Sequence, residues 1–397
     1  MKILIGSDVA PPYIGGGEEY VINLGKTLTK MGHEVHWITA KFPGTNDKEN
    51  YEGITIHRVA VPFKKHFHFP GRMFFFATSI LPGIKLAKEM DVVQMNTLVA
   101  APFGWLIPKF ARKPSVMFVH ELFGKKLWSQ VGQNVFEKLV YPYMEKRMAK
   151  APYDHYLCPS NYSKQTLIRY GASSKKITII PHGLNFKLFN PKKDKVNYRK
   201  KFGLESYKLF GYAGRLRARK TAQSKNLLGL LKAVPFVLEK VPNAKLVLDG
   251  LGYEELEPFV RKMKLEDYVV WLGEKYGKDF SFNSHFYKMC DLIVCSAISE
   301  GFDFMLANAS ACGTPIVATN CGAHPDRVIN GKNGLLTGVK PEQIAAGITK
   351  ILSNNKLAEK FGKEGATYAK KFTWKKSAEA HLKVYEEVIR KHKYRQH

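Results

Sequence analysis

Residues 299–320 read SEGFDFMLANASACGTPIVATN, and the order of residue types predicts a loop, a short helix and a buried strand. Apolar and small residues from about Phe304 to Cys312 suit the helix. Gly313 is a good helix stop, and Pro315 leads into the apolar strand Ile316 to Ala318. The loop turns on Gly301 and delivers backbone N–H groups at a helix N-terminus, where the helix dipole and the amide donors favour an anion. A phosphate there would bring Glu300 against whatever group the phosphate carries.

Outward from this stretch the chain alternates strand and helix signals, which predicts parallel sheets with crossover helices. Lys2 to Ile5, Val35 to Thr39, Ile54 to Val59, Val92 to Met95, Ser115 to His120, His155 to Cys158 and Lys176 to Ile180 read as strands of a first domain. A turn at Pro181-His182-Gly183 and the connector LNFKLFNPKK follow. A second set comprises Leu209 to Tyr212, Lys245 to Leu248, Val269 to Trp271, Leu292 to Cys295 and Ile316 to Ala318. A last amphipathic helix runs from about Lys375 to Lys391. Gly15-Gly16-Gly17 follows the first strand without the GxGxxG order of a dinucleotide fold, which argues against a nicotinamide enzyme.

At 397 residues, 45% of them hydrophobic, the chain suits two α/β domains of roughly 180 residues each. MKILIGSDVAPP has too short an apolar run for a signal peptide, and no uninterrupted apolar run reaches the ~18 residues of a membrane span. The five cysteines lack paired CxxC spacing and read as small core residues of a reduced, cytoplasmic protein. Lys and Arg number 62 against 34 acids, a net charge of +28, which attracts polyanions. Most of the basic runs suit solvated surface. FKKHFHFPGRMFFFATSILPGIK, Phe63 to Lys85, mixes cations with aromatics. It suits either an interfacial segment on an anionic membrane or a core helix behind a basic loop.

The opening stretch resembles the donor-site signature of retaining glycosyltransferases with the GT-B fold, in the family-four group (glycosyl transferases group 1) that uses nucleotide-diphosphate sugars. That pattern is a glutamate, Gly-Phe-Gly, a second glutamate eight positions after the first, and Ala-Met-Ala-Cys-Gly-Thr-Pro. Glu300, Gly301, Phe302 and Ala311 to Pro315 match; Asp303 stands where glycine is usual, and Asn308 replaces the second glutamate. The resemblance implies an α/β protein of two Rossmann-like domains facing a central cleft. Residues 1–184 would form the acceptor side, with the helix 375–397 crossing back to it, and 185–374 the donor-binding domain.

It also implies roles residue by residue. Gly15 and Gly16 resemble the loop that approaches the donor phosphates, and His120, followed by Glu121, matches the histidine that contacts the donor sugar. Gly214 and Arg215 match the turn and arginine facing the diphosphate, with a lysine shortly after. Lys220 has the usual spacing, but Lys225-Asn226 fits the helix that normally starts there, so Lys225 is preferred and Lys220 kept as the alternative. Backbone N–H groups at Phe304 and Met305 would hold the diphosphate. Asn308 would accept a ribose hydroxyl at a loss on the order of 1 kcal/mol relative to glutamate.

With Glu300 the sole carboxylate at the matched sugar positions, the resemblance favours front-side retention over double displacement. No metal and no cofactor is expected beyond the nucleotide-diphosphate sugar as donor substrate, since Arg215 and Lys225 supply the positive charge. The expected partners are a lipid, lipid-linked or glycan acceptor and an anionic membrane surface, with no nucleic acid, which places the protein in the cytoplasm or peripherally at the inner membrane face. The alternative is an inactive glycosyltransferase-like protein that binds anionic lipid or nucleic acid. A glucan phosphorylase would need a pyridoxal phosphate lysine, and no residue presents itself as one.

Overall fold

A computed structural model describes residues 1–13, 15–61, 69–96, 104–131, 135–192, 197–216, 222–273 and 280–395. The chain forms two compact units, Met1–Trp128 with Asn134–Gly183 and Thr373–His397, and Leu184–Phe372 with Ser129–Gln133.

The first unit is built on β1 (Lys2–Gly6), β2 (Glu34–Ala40), β3 (Lys48–Tyr51), β4 (Ile54–Val59), β5 (Val92–Asn96), β6 (Ser115–Phe118), β7 (His155–Cys158) and β8 (Ile177–Ile179). Their order in the sheet is β3-β4-β2-β1-β5-β6-β7-β8, all parallel except the β3–β4 pair. Near-continuous apolar strands such as KILIG and SVMF are buried on both faces, as crossover helices require. The helices of this half are α1 (Gly16–Lys30), α2 (Phe69–Ala87), α3 (Leu106–Ala111), α4 (Gly124–Val131), α5 (Val135–Ala149) and α6 (Asn161–Arg169).

The second unit holds β9 (Lys208–Ala213), β10 (Ala244–Asp249), β11 (Val269–Trp271), β12 (Leu292–Cys295), β13 (Ile316–Thr319) and β14 (Leu335–Thr337). Its sheet is wholly parallel, in the order β11-β10-β9-β12-β13-β14. Its helices are α7 (Tyr198–Lys201), α8 (Ala222–Lys225), α9 (Leu227–Leu238), α10 (Glu257–Lys262), α11 (Phe280–Met289), α12 (Phe304–Ala311), α13 (Pro341–Leu352) and α14 (Asn355–Ala369). One apolar core, from Leu209 on β9 to Ile348 on α13, packs them together.

The last helix, α15 (Trp374–Tyr394), belongs to the first unit. Buried polar groups tie it to α1 and β5. Tyr20 Oη meets His381 Nε2 at 2.7 Å, Gln94 Nε2 donates to Tyr20 Oη at 3.1 Å, and Tyr385 Oη donates to Gln94 Oε1 at 2.7 Å. Replacing Gln94 by leucine orphans the Tyr385 hydroxyl, so urea unfolding should show a loss of about 1–3 kcal/mol.

One expectation is corrected, and one alternative left open is narrowed. The strand read as Ser115 to His120 ends at Phe118, so His120 lies in the loop beyond it. In the segment Phe63 to Lys85, residues 63–68 lie outside the described residues, and Phe75 and Phe76 on α2 are fully buried in the core. Phe74 and Leu81 face solvent on the other side of the same helix. Among the described residues no helix is long and apolar enough to cross a membrane. All five cysteines are free thiols, and all but Cys321 are buried.

Candidate functional site

In the second unit the chain leaves β9 toward β10 and β11 on one side and continues to β12, β13 and β14 on the other. Open α/β sheets take ligands at such a switch point, outside the carboxyl ends of the diverging strands. The end of β9 supplies Gly214 and the exposed Arg215, and the loop after β12 supplies Glu300 and α12. The backbones crowd here: a Cβ on Gly250 would lie 1.7 Å from the Gly214 carbonyl oxygen, and the Gly214 N–H donates to Asp249 O at 2.9 Å. The Ala213 N–H donates to Met305 Sδ at 3.3 Å, which pins the first turn of α12 to the end of β9.

Lys225 and Glu300 come together although 75 residues separate them: Lys225 Nζ and Glu300 Oε1 form an ion pair. The backbone prepares it. Ser296 Oγ donates to Lys225 O at 2.8 Å and the Ile298 N–H donates to Ser224 O at 2.7 Å, so the loop after β12 holds the end of α8 directly. Both side chains are mostly shielded, with 24% and 16% of their surface exposed. Desolvation pushes the Glu300 carboxyl up, Lys225 pulls it down and Asp303 pushes it up again, leaving it above the usual carboxylate range. Behind Glu300, its carbonyl accepts the Ala323 N–H at 2.8 Å, and Gly322 lies against its backbone.

At α12, Asp303 is the N-cap residue, with φ +66°, and its carboxylate accepts the Leu306 N–H at 3.1 Å. The left-handed backbone is the physical reason glycine suits this position. Phe304 and Met305 occupy the first turn, whose N–H groups have no carbonyl to bond within the helix. Asn308, buried, follows one turn later. Phe302 is held by Arg327, whose guanidinium lies 4.1 Å from the ring centroid and whose Nε donates to Phe302 O at 3.3 Å. Burial lowers the Arg327 pKa to about 10, which leaves it charged at neutral pH.

In the first unit the glycine loop opens α1. The Gly15 N–H donates to Glu18 Oε2 at 2.7 Å, Gly16 is exposed, and a Cβ on Gly17 would lie 3.9 Å from His120 Nε2. His120 packs against Phe118 and Tyr20, and desolvation pushes its pKa down to about 3, so it is neutral at pH 7. Desolvation also raises the Glu19 carboxyl to about 7.

Glu19, Gly322, His324 and Arg327 escaped the reading of the sequence. Only Gly322, a glycine shortly after the strand that ends at Thr319, carried a local signal. Lys220 lies outside the described residues.

The family model described as Glycosyl transferases group 1 matches residues 194–368, and that described as Glycosyltransferase Family 4 matches residues 14–188. The chain is 26% identical over 392 residues to an uncharacterized glycosyltransferase of Methanocaldococcus jannaschii, covering 98% of this chain and 99% of that one. It is 27% identical over 394 residues to the D-inositol 3-phosphate glycosyltransferase of Corynebacterium jeikeium, covering 94% and 92%. The fold is similar to that of sucrose-phosphate synthase from Thermosynechococcus elongatus, with a TM-score of 0.84, 22% identity and 98% of each chain covered. It is also similar to Anabaena HepE, solved in complex with UDP and glucose, with a TM-score of 0.78, 18% identity and 98% and 100% covered.

Proposed function

The chain belongs to the glycosyl transferases group 1, with a family 4 first half, and on that footing we propose that it moves a hexose from a nucleotide-diphosphate sugar to a lipid, lipid-linked or glycan acceptor with retention of configuration. The Lys225–Glu300 ion pair carries this reading: it sets a cation and a carboxylate together at the switch point, beside the N-terminus of α12. The diphosphate would lie at the first-turn N–H groups of Phe304 and Met305, with Arg215 and Lys225 as counter-charges. Glu300 would hold sugar hydroxyls, and in the first unit the neutral His120 ring has the donor and acceptor chemistry for the same kind of contact.

The acceptor oxygen bonds to the anomeric carbon on the face from which the diphosphate departs. The bond from that carbon to the phosphate oxygen breaks, and the acceptor proton passes to the leaving diphosphate. Arg215, Lys225 and the α12 amides stabilise the charge that grows on the leaving group, the role a metal ion has in other transferases.

Thermal-shift measurements over a panel of nucleotide sugars should find one that raises Tm, because a ligand at about a hundredfold its Kd adds ~2.7 kcal/mol. That sugar should then be hydrolysed slowly without acceptor, releasing free nucleotide. A folded protein giving neither shift nor release would refute transfer and leave a binding role.

Asn308 tests the ribose contact. The ribose does not react, so Asn308→Ala should raise donor KM about fivefold, equivalent to ~1 kcal/mol, with kcat little changed. Asn308→Glu should lower KM. An unchanged KM in the alanine variant would remove Asn308 from the donor site.

A membrane face is supported by exposed apolar side chains among cations. On α5, Val135, Leu139 and Tyr143 are spaced i, i+4, i+8 and are 73%, 64% and 62% exposed, with Lys138, Lys146 and Arg147 on the helix and Lys150 just beyond it also exposed. Together with the net charge of +28 they fit an anionic lipid surface. Vesicles of phosphatidylglycerol should sediment the protein and phosphatidylcholine vesicles should not. Leu139→Glu with Tyr143→Glu should weaken sedimentation about tenfold while soluble-donor hydrolysis persists. Binding unaffected by the double change would place the membrane contact elsewhere.

A further inference from the structure

Asp303 poses a problem for the donor site proposed above, on which this inference rests. Its carboxylate is buried, caps α12 through the Leu306 N–H, and stands at the helix end assigned to the diphosphate. An anion fixed at that end opposes a second anion. Something must cancel its charge. Lys225 is engaged with Glu300, and the Arg327 guanidinium, stacked on Phe302 and Phe372, adds positive charge near Asp303 from its place on those rings.

His324 faces Asp303 directly. Its Nε2 lies 3.2 Å from Asp303 Oδ2, and both side chains are almost wholly enclosed. Its Nδ1 lies 2.7 Å from the Thr319 carbonyl oxygen, which can only accept, so Nδ1 carries a hydrogen. A second hydrogen on Nε2, donated to the carboxylate, makes the ring an imidazolium. Neutral imidazole would instead turn a lone pair toward the carboxylate.

We propose that His324, as an imidazolium, is a positioning residue that cancels the charge of Asp303 and so keeps the N-terminus of α12 able to take the diphosphate of a sugar nucleotide. The titration directions agree with this. Desolvation alone would lower the His324 pKa, but the hydrogen bond and charge of Asp303, with Glu300, raise it above the usual imidazole range. For Asp303, desolvation alone would raise the pKa, but the hydrogen bond and charge of His324, with other hydrogen bonds, hold it below the carboxylate range.

The groups around the pair are Cys295 from β12, whose Sγ is 3.4 Å from His324 Nε2, Glu300 with its partner Lys225, and Arg327 in the turn after His324. The buried Cys295 thiol is pushed well above its usual range and stays protonated. The pair is therefore intact between the lowered pKa of Asp303 and the raised pKa of His324. As pH rises through the latter, Asp303 loses the counter-charge hydrogen-bonded to it and diphosphate affinity falls.

Calorimetric titration with UDP, GDP and ADP identifies the nucleotide, after which that diphosphate and its parent nucleoside are compared on four proteins. His324→Gln should weaken the diphosphate at least about tenfold and leave the nucleoside unchanged. Asp303→Gly combined with His324→Gln should restore affinity to within about threefold of wild type, without the alkaline loss. If His324→Gln alone does not fold, Asp303→Asn serves in its place: it should bind at least as tightly as wild type and show no alkaline loss.

Wild-type affinity in His324→Gln, equal loss of nucleoside and diphosphate, or no rescue in the double variant would overturn the proposal. So would a stoichiometric metal ion in the purified protein that His324→Gln removes, because the ligand atoms of Cys295, Asp303 and His324 lie within 4.8 Å of one another. A wild type that binds none of the three diphosphates refutes the donor site itself. Binding by wild type with an indifferent His324→Gln refutes only the role of His324.

Discussion

Lys225→Ala should lower kcat/KM for transfer by about one to two orders of magnitude, because it removes the cation proposed to face the leaving group and strands the shielded Glu300 carboxylate. A charge-assisted contact to the leaving group is worth ~1.5–3 kcal/mol, and each ~1.4 kcal/mol of barrier is tenfold in rate. The pH profile should move as well. Lys225 pulls the Glu300 pKa down, so its removal lets that pKa climb further, and the acid limb of the rate profile should shift to higher pH. Single-turnover transfer from pH 5 to 9 measures both effects. Lys225→Arg, which keeps the charge, should recover part of the loss. A loss under about tenfold in Lys225→Ala, with a severe loss in Lys220→Ala, would transfer the leaving-group role to Lys220.

The doubly wound plan was legible because most strands are apolar runs bounded by turn residues, and burial on both faces of a parallel sheet demands that pattern. The two strands that escaped lack it. KENY of β3 is a polar, half-exposed edge paired antiparallel, and LLT of β14 is a three-residue edge strand with only Leu335 buried. Phe74 to Phe76 shows the limit of local composition. Three aromatics among cations suit a membrane surface, yet which of them turn inward depends on the sheet beneath, and Phe75 and Phe76 belong to the core.

In the site, Glu300 and α12 were readable from one contiguous stretch. Lys225 could be preferred over Lys220 by where α9 had to begin. What joins these residues was invisible, because every link is non-local: Lys225 to Glu300 across 75 positions, His324 to Asp303 across 21, Gly322 against the Glu300 backbone. Asp303 looked like a simple departure from glycine. Its partner becomes visible only when β13 brings the turn at His324 beneath α12.

Gly322→Ala should lower kcat by about one to two orders of magnitude without touching any atom of donor or acceptor. A Cβ there would lie 2.5 Å from Glu300 N and 2.7 Å from Glu300 O, and both are backbone atoms that cannot swing aside. Glu300, or the turn that bonds it through the Ala323 N–H, must shift, and a misplacement of ~1 Å near reacting groups costs about a hundredfold. Gly322 also has φ +56°, where alanine costs ~1–2 kcal/mol of stability whatever the space. The two effects separate in a control. Gly331 has φ +76° and nothing within 4 Å of its Cβ position, so Gly331→Ala should lose a similar ~1–2 kcal/mol and keep its kcat. Urea unfolding and steady-state transfer on both variants decide the matter. Equal stability losses with kcat reduced only in Gly322→Ala would show that this glycine serves the placement of Glu300. Full kcat in Gly322→Ala would mean that the carboxylate tolerates displacement and does not hold the reacting sugar.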